Sequence, residues 1–324
     1  MQQVVTKPQH DRKGQQRPEH EGKPSRLTNP SLTTQLAEPD MNALDDIMRD
    51  VCALSLGPAV QRSPVFEIID HHLKSGGSRV RARLAYLTAQ KLNIQKADAL
   101  SIAATCELIH NASLLHDDIQ DRDEIRRDAP AAWVKFGTDH AICAGDLMIS
   151  ATFAALGRIT HTAEAFPRLI ECVHQAITHV ISGQDRDLVN NKDSISAFAQ
   201  YEEIVDGKAS ALLKLPLELP LLISGEKGCV ADARCAARHF GIGYQMIDDL
   251  ADMGEDRCRE NACFNAVAII QKLEDCDLNQ ARVKTCEIAR IHLDKAEKAA
   301  HQLPLQSGDP LLSYIRTYVG KLQH

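Results

Sequence analysis

The sequence predicts an all-α protein. Ala, Leu, Ile, Glu, Lys and Gln recur at three-to-four spacing along most of the chain, the period of a helix with a buried face. Strand-like alternation of Val, Ile and Thr is hard to find, and aromatic residues make up only 4%. The remaining balance, 44% hydrophobic and 25% charged over 324 residues, is that of a soluble globular chain, and one large helical domain accommodates it.

Residues 1–40 are polar, rich in Gln, Lys, Arg, Pro and His, and carry no apolar period, which predicts a disordered tail. A single helical domain is predicted over 41–324. Met41 opens the first amphipathic segment, which also makes it an alternative start; a helix over about 41–55 ends at Gly57-Pro58. Helices over about 64–74 and 78–92 are parted by Gly76-Gly77. The next, about 96–120, is divided from one over 139–158 by Ala129-Pro130. Segments at 164–191, 194–206 and 208–224 follow, the last closed by Gly225 and expected to kink at Pro216 and Pro220. A helix over 229–252 stops before Gly254, and 262–274, 278–301 and 308–322 complete the series, with a break at Leu303-Pro304.

The formal charge of −7 and the lack of a basic face interleaved with aromatics argue against nucleic-acid binding. Ten cysteines stand singly without a C-x-x-C, which predicts reduced thiols and a cytoplasmic protein, not a disulfide frame or a zinc site. No signal pattern opens the chain. Its longest apolar run, Ala211 to Ser224, is interrupted by Lys214, Pro216, Glu218 and Pro220 and is too short to span a bilayer.

One carboxylate pattern occurs twice: Asp117-Asp118-Ile119-Gln120-Asp121 and Asp248-Asp249-Leu250-Ala251-Asp252. On a helix Asp117 stacks over Asp121 and Asp248 over Asp252, so like charges repel and folding gains nothing. A hard dication does call for them, because Mg²⁺ takes a few carboxylates together with substrate phosphates. A lone D-D-x-x-D is more often a solvated face; two copies, each after an apolar run, favour a cage for a metal-bound diphosphate. Arg126-Arg127 follow the first copy, and guanidinium forks suit phosphate oxygens.

Beyond these residues stand Phe136-Gly137, Ala144-Gly145-Asp146, Gly183-Gln184 with Asp187, Lys208, and Tyr244-Gln245 ahead of Asp248. Together and in this order, from about residue 70 to 255, they resemble the trans-isoprenyl diphosphate synthases of the polyprenyl synthetase family. The resemblance implies an isoprenoid synthase-type helical bundle around a deep central cavity, usually a homodimer, with aspartates at the mouth. It further implies that Asp117 and Asp121 hold two Mg²⁺ and Asp248 a third, with Asp118, Asp249 and Asp252 in support. Arg126, Lys208 and Gln245 would meet an allylic prenyl diphosphate, and Arg79, His110 and Arg127 isopentenyl diphosphate, with Gln184 also on the substrate. The implied reaction ionises the allylic C–O bond, couples the cation to the alkene and loses a proton, in a tunnel that excludes water.

Three positions depart from the family pattern. Ser78 stands where a lysine is usual, Ala209 follows Lys208 in place of Thr, and the segment after Asp252 lacks the family's Gly/Lys-rich stretch. None touches the metal ligands; they bear on affinity for isopentenyl diphosphate. Ala112 and Ser113, just before the first motif, are small residues at the expected tunnel floor, where a bulky aromatic would shorten the product. Geranylgeranyl diphosphate is therefore the expected product and a longer polyprenyl chain the alternative. A terpene cyclase on the same fold is a second reading, set back by the lack of its usual Asn/Asp-Ser/Thr-Glu motif near residue 248. A non-catalytic partner subunit is a third, set back because all six aspartates are present.

The remaining candidates read as structural. His71-His72 flank a helix, His116 packs or hydrogen-bonds, Trp133 is a packing residue, and Asp185 and Arg83 face solvent, while Arg81 is open between solvent and the diphosphate.

Overall fold

The computed structural model describes residues 37–53, 63–160, 164–189, 195–252 and 264–322. Most of the expected tail lies outside them, as does the unmatched stretch 253–263. Residues 37–40, counted with the tail, are placed: Asp40 accepts the backbone N–H groups of Asn42 and Ala43 at 3.1 and 3.2 Å and so caps α1 (Met41–Ala53). Ser63 caps α2 (Pro64–Lys74), whose Pro64 sits at the one helical position where its missing N–H costs nothing. Gly76 and Gly77, at φ +79° and +124°, turn the chain into α3 (Val80–Lys91).

The centre is α4 (Lys96–Gln120), buried along most of its length because α1, α3, α6 (Thr138–Leu156) and α9 (Ala211–Ile223) surround it. α5 (Ala132–Phe136) is a short helix before α6, and α7 (Phe166–Val189) runs to α8 (Phe198–Val205). α9 serves two cores at once. Leu212, Leu215, Leu219 and Leu222 join the α1–α4 and α6 side, while Leu213, Leu217 and Leu221 join α10 (Val230–Asp252) and α12 (Leu278–Ala300). An all-round apolar helix with Pro216 and Pro220 inside it is thus explained by burial on both faces. α11 (Ala266–Glu274) is capped by Asn265, and α12 by a reciprocal box in which Asp277 and Gln280 each accept the other's backbone N–H at 2.9 and 3.0 Å. α13 (Asp309–Lys321) closes the bundle.

The all-α expectation holds, and among the described residues the only strands are β1 (Ile125–Arg126) and β2 (Ala129–Pro130). This hairpin and α5 were not legible. The two-residue turn Arg127-Asp128 takes φ +54° and +60°, a left-handed turn usually signalled by Asn-Gly, and here neither residue announces it. It is held from outside instead, by Trp133 Nε1 donating to the Asp123 carbonyl at 2.8 Å and Ala131 N to Glu124 O at 2.9 Å. The separation expected near 207 is also absent: α8 continues through a π-type turn, Asp206–Ser210, into α9. The described cysteines are free thiols, and no helix among the described residues is long and apolar enough to cross a membrane.

Where α8, α10 and α12 meet, His239 Nδ1 lies 3.0 Å from His292 Nδ1, and His292 Nε2 lies 3.0 Å from Glu202. Burial, with His292, Lys295 and Arg238 adding to it, pushes His239 down to about 4. A depressed histidine leaves stability intact above its unfolded value and removes it as pH falls, because the unfolded chain takes the proton first. We expect the melting temperature to fall between about pH 6.5 and pH 4, and His239→Gln to flatten that fall. Parallel curves for the two proteins would refute the assignment.

Candidate active site

Both aspartate motifs end a helix, α4 and α10, and neither helix carries a basic residue in its last turn. Carboxylates at the negative pole of a helix add an unfavourable interaction to their mutual repulsion. Folding alone does not select that arrangement twice.

The structure divides the first motif. Asp117 lines a cavity of about 240 Å³, and burial raises its carboxyl to about 6, against the pull of Lys208 and with the push of Asp121. Asp121 is exposed at the end of α4, and Lys208 reaches it from the π turn at 3.9 Å. Asp118 turns inward: its Oδ1 accepts Arg126 Nε at 2.7 Å and also Arg126 Nη2, which in turn reaches Asp123 at 3.3 Å. Arg126, expected on the allylic diphosphate, is therefore anchored on the motif's own second aspartate.

The second motif divides in the same way. Asp248 is half-buried and hydrogen-bonded by the Tyr244 hydroxyl one turn below. Asp249 is 5% exposed and accepts Gln245 Nε2, Tyr201 OH and Ala266 N at 2.9, 2.8 and 2.7 Å. Asp249, expected in support of the metal, is filled with protein donors, and Gln245, expected on the allylic diphosphate, gives its amide to Asp249. The four-residue offsets Tyr244 to Asp248 and Gln245 to Asp249 were the signal for this pairing. The side chain of Asp252 lies outside the described part.

The arginines gather beside the first motif. Arg79, at φ +49°, donates to Asp45 at 3.2 Å, to the Leu73 carbonyl at 3.1 Å and to buried Glu107 at 3.4 Å. Arg127 donates to the Gly76 carbonyl, and its guanidinium lies where a Cβ on Gly77 would come within 2.6 Å of it. Arg81 is not in solvent: its Nη1 meets His110 Nε2 at 3.1 Å, so that nitrogen is the acceptor. Burial and the neighbouring Arg81 and Arg127 keep His110 well below the usual histidine range, and burial holds His72 at about 3. Arg83 does face solvent, on Glu38 at 2.9 Å. Glu107, the buried counter-charge of this cluster, was the residue the sequence reading passed over; it lies one helical turn before His110.

The cavity runs between α4, α6 and α7. Ile109, Ile149, Ile177, Val180 and Ile181 make its wall, with Ser113 and Gln184 among them. Ser113 faces it as expected, whereas Ala112 packs into the core and does not. Gln184 is 6% exposed, and its side-chain nitrogen and oxygen have no partner among the described residues. His116 is pinned to α6, 3.5 Å from Asp146 and against Gly145, where a Cβ would stand 2.3 Å from its Nε2. His71, expected only to flank its helix, lies 3.1 Å from the Pro130 carbonyl and ties α2 to the hairpin.

The donor set suits a hard dication, since it consists of carboxylate oxygens, and Asp118 Oδ2 is buried with no partner among the described residues. Among those residues no three His, Cys, Asp or Glu converge on one point. That fits an ion taking one or two carboxylates and completing its shell with water and diphosphate.

Known proteins are similar to this chain. A family model described as polyprenyl synthetase matches residues 63–261. A geranylgeranyl diphosphate synthase of Methanosarcina mazei is 31% identical over 205 residues, 63% of this chain and 63% of its own length. A (2E,6E)-farnesyl diphosphate synthase of Mycobacterium tuberculosis is 31% identical over 209 residues, 64% of this chain and 56% of its own. The chain thus spans less than two thirds of these relatives. Among solved structures, a geranylgeranyl pyrophosphate synthetase of Geoglobus acetivorans superposes with a TM-score of 0.74 at 23% identity, over 86% of this chain and 97% of that one. The fold is shared, and the cyclase reading gains no support from these similarities.

Proposed function

The chain belongs to the polyprenyl synthetase family, and from that premise we propose that it condenses isopentenyl diphosphate with an allylic prenyl diphosphate to give geranylgeranyl diphosphate. One observation supports this most directly: an isoleucine-walled cavity opens at Asp117, beside a lysine that reaches Asp121. Asp117, Asp121 and Asp248 would hold Mg²⁺, which when bound supplies Lewis-acid withdrawal of charge from the leaving diphosphate. Lys208 stands beside Asp117 and Asp121 for the allylic diphosphate, while Arg79, Arg127 and His110 lie together for the second one. Neutral His110 offers no acid there; the guanidiniums carry the charge. An allylic tail seated along the isoleucine wall would displace water, which would otherwise capture the allylic cation as an alcohol.

Chain length follows from depth. From Gln120 down to Ile109 the α4 wall is about 16 Å long at roughly 1.5 Å of rise per residue. A staggered isoprene unit of four carbon–carbon bonds spans about 5 Å, so about three units fit. A farnesyl tail is then the longest allylic substrate admitted, and the product stops one unit later. A homodimer in the cytoplasm completes this reading, with exposed Val134 and Ile142 on α5 and α6 as apolar surface for a second copy.

The test is direct. Purified protein, Mg²⁺ and labelled isopentenyl diphosphate are incubated with dimethylallyl, geranyl or farnesyl diphosphate, and the dephosphorylated products are sized. A labelled geranylgeraniol is expected; unlabelled hydrocarbon or alcohol from the allylic substrate alone overturns the reading. Ser113→Phe, which fills the cavity about one helical turn above Ile109, is expected to shorten the product to about fifteen carbons by sterics alone. An unchanged product from that variant would place the chain elsewhere.

A further inference from the structure

Asp249 poses a question the reaction does not answer. A buried carboxylate at the negative end of a helix is unfavourable, and a core needing only packing would hold an apolar residue there. Its surroundings are built for it. Tyr201 on α8 is fully buried, its ring between Phe198 and Phe264 with centroids 5.1 Å away on either side, and its hydroxyl donates to Asp249 Oδ2 at 2.8 Å. Ala266 N, at the start of α11, donates to the same oxygen at 2.7 Å. Asn265 caps α11 through its Oδ1 and, through Nδ2, donates to the Asp249 carbonyl at 2.8 Å. Donors from two other elements, α8 and the capped start of α11, therefore converge on one residue of α10.

Successive helical residues point roughly 100° apart, so fixing Asp249 fixes the rotational setting of the last turn of α10 and with it the aim of Asp248. It also fixes Gln245, whose Nε2 is bound to the other oxygen at 2.9 Å. We propose that Tyr201 and Asn265 are positioning residues: acting through Asp249, they aim Asp248 at the metal-bound diphosphate. This rests on the synthase reading above. Neither residue touches substrate, and both act by orientation, as outer-shell partners of metal ligands do.

The experiment compares wild type with Tyr201→Phe, Asp249→Asn, the double variant and Phe198→Leu. Binding of inorganic pyrophosphate in the presence of Mg²⁺ is measured by calorimetry, beside the metal-free melting temperature and kcat and KM. Tyr201→Phe keeps the ring stack and removes one hydroxyl, and is expected to weaken Mg²⁺–pyrophosphate binding and kcat about tenfold. KM for isopentenyl diphosphate stays within about twofold, and the double variant is no worse than Asp249→Asn. Phe198→Leu lowers the melting temperature and leaves binding unchanged. Should Tyr201→Phe not fold, Asn265→Ser carries the same expectation, since serine still caps α11 but falls short of the Asp249 carbonyl. Wild-type binding in Tyr201→Phe, or an equal loss in Phe198→Leu, overturns the inference alone. A wild-type protein that takes no Mg²⁺–pyrophosphate overturns the synthase reading along with it.

Discussion

Asp117→Asn is expected to lower condensation about a thousandfold, a loss of roughly 4 kcal/mol of transition-state stabilisation, while raising the melting temperature of the metal-free protein. The two effects share a cause. Asp117 sits at the negative end of α4 beside the cavity, and burial lifts its carboxyl to about 6. A carboxyl raised above its unfolded value contributes stability at low pH and loses it as pH rises through the folded value. Above pH 6 the wild-type protein therefore holds a half-buried charge that the isosteric amide does not. The stability gain should appear there and vanish below about pH 4, where both states of the wild type are protonated. The charge is what a dication needs, so turnover falls. Matched thermal melts from pH 4 to 8 and steady-state rates check both halves; turnover within tenfold of wild type would remove Asp117 from the metal's ligands.

The division of labour among the aspartates shows where sequence reasoning stops. Spacing identified both motifs, and it identified the helices bearing them, because long apolar segments such as α4 and clear stops such as Gly76-Gly77 are local signals. Spacing cannot say which member of Asp117-Asp118 faces the cavity, since adjacent helical residues diverge by roughly 100° and the answer lies with the neighbours. Arg126 settles it for Asp118 and Tyr201 for Asp249, from eight and forty-eight residues away. The same geometry separates Ser113, on the cavity wall, from Ala112, in the core. The Arg127-Asp128 turn was hidden for a related reason: its left-handed conformation is enforced by tertiary contacts, not by residues that favour it.

Gly183→Ala is expected to cost at least about a hundredfold in turnover, because misplacement of a catalytic group by about 1 Å is worth that much. α7 and the π turn touch through two glycines. A Cβ on Gly183 would stand 2.8 Å from the Gly207 carbonyl carbon and 3.0 Å from Lys208 N, and backbone atoms cannot swing aside as a flexible side chain can. The elements must part. What they carry then moves: Gln184 beside the first glycine, and Lys208 beside the second, which holds its 3.9 Å approach to Asp121 from this turn. Overpacking of this kind also costs about 1–3 kcal/mol of stability, so the melting temperature falls with the rate. The two losses are separable, because Gly308→Ala, whose Cβ would meet the Ala300 carbonyl oxygen at 2.1 Å, strains the α12–α13 junction instead. It should lower the melting temperature without a comparable loss of turnover at a temperature where both variants are folded. Equal turnover losses in the two would mean that Gly183 matters only for stability, and that the close approach of α7 does not set where Lys208 stands.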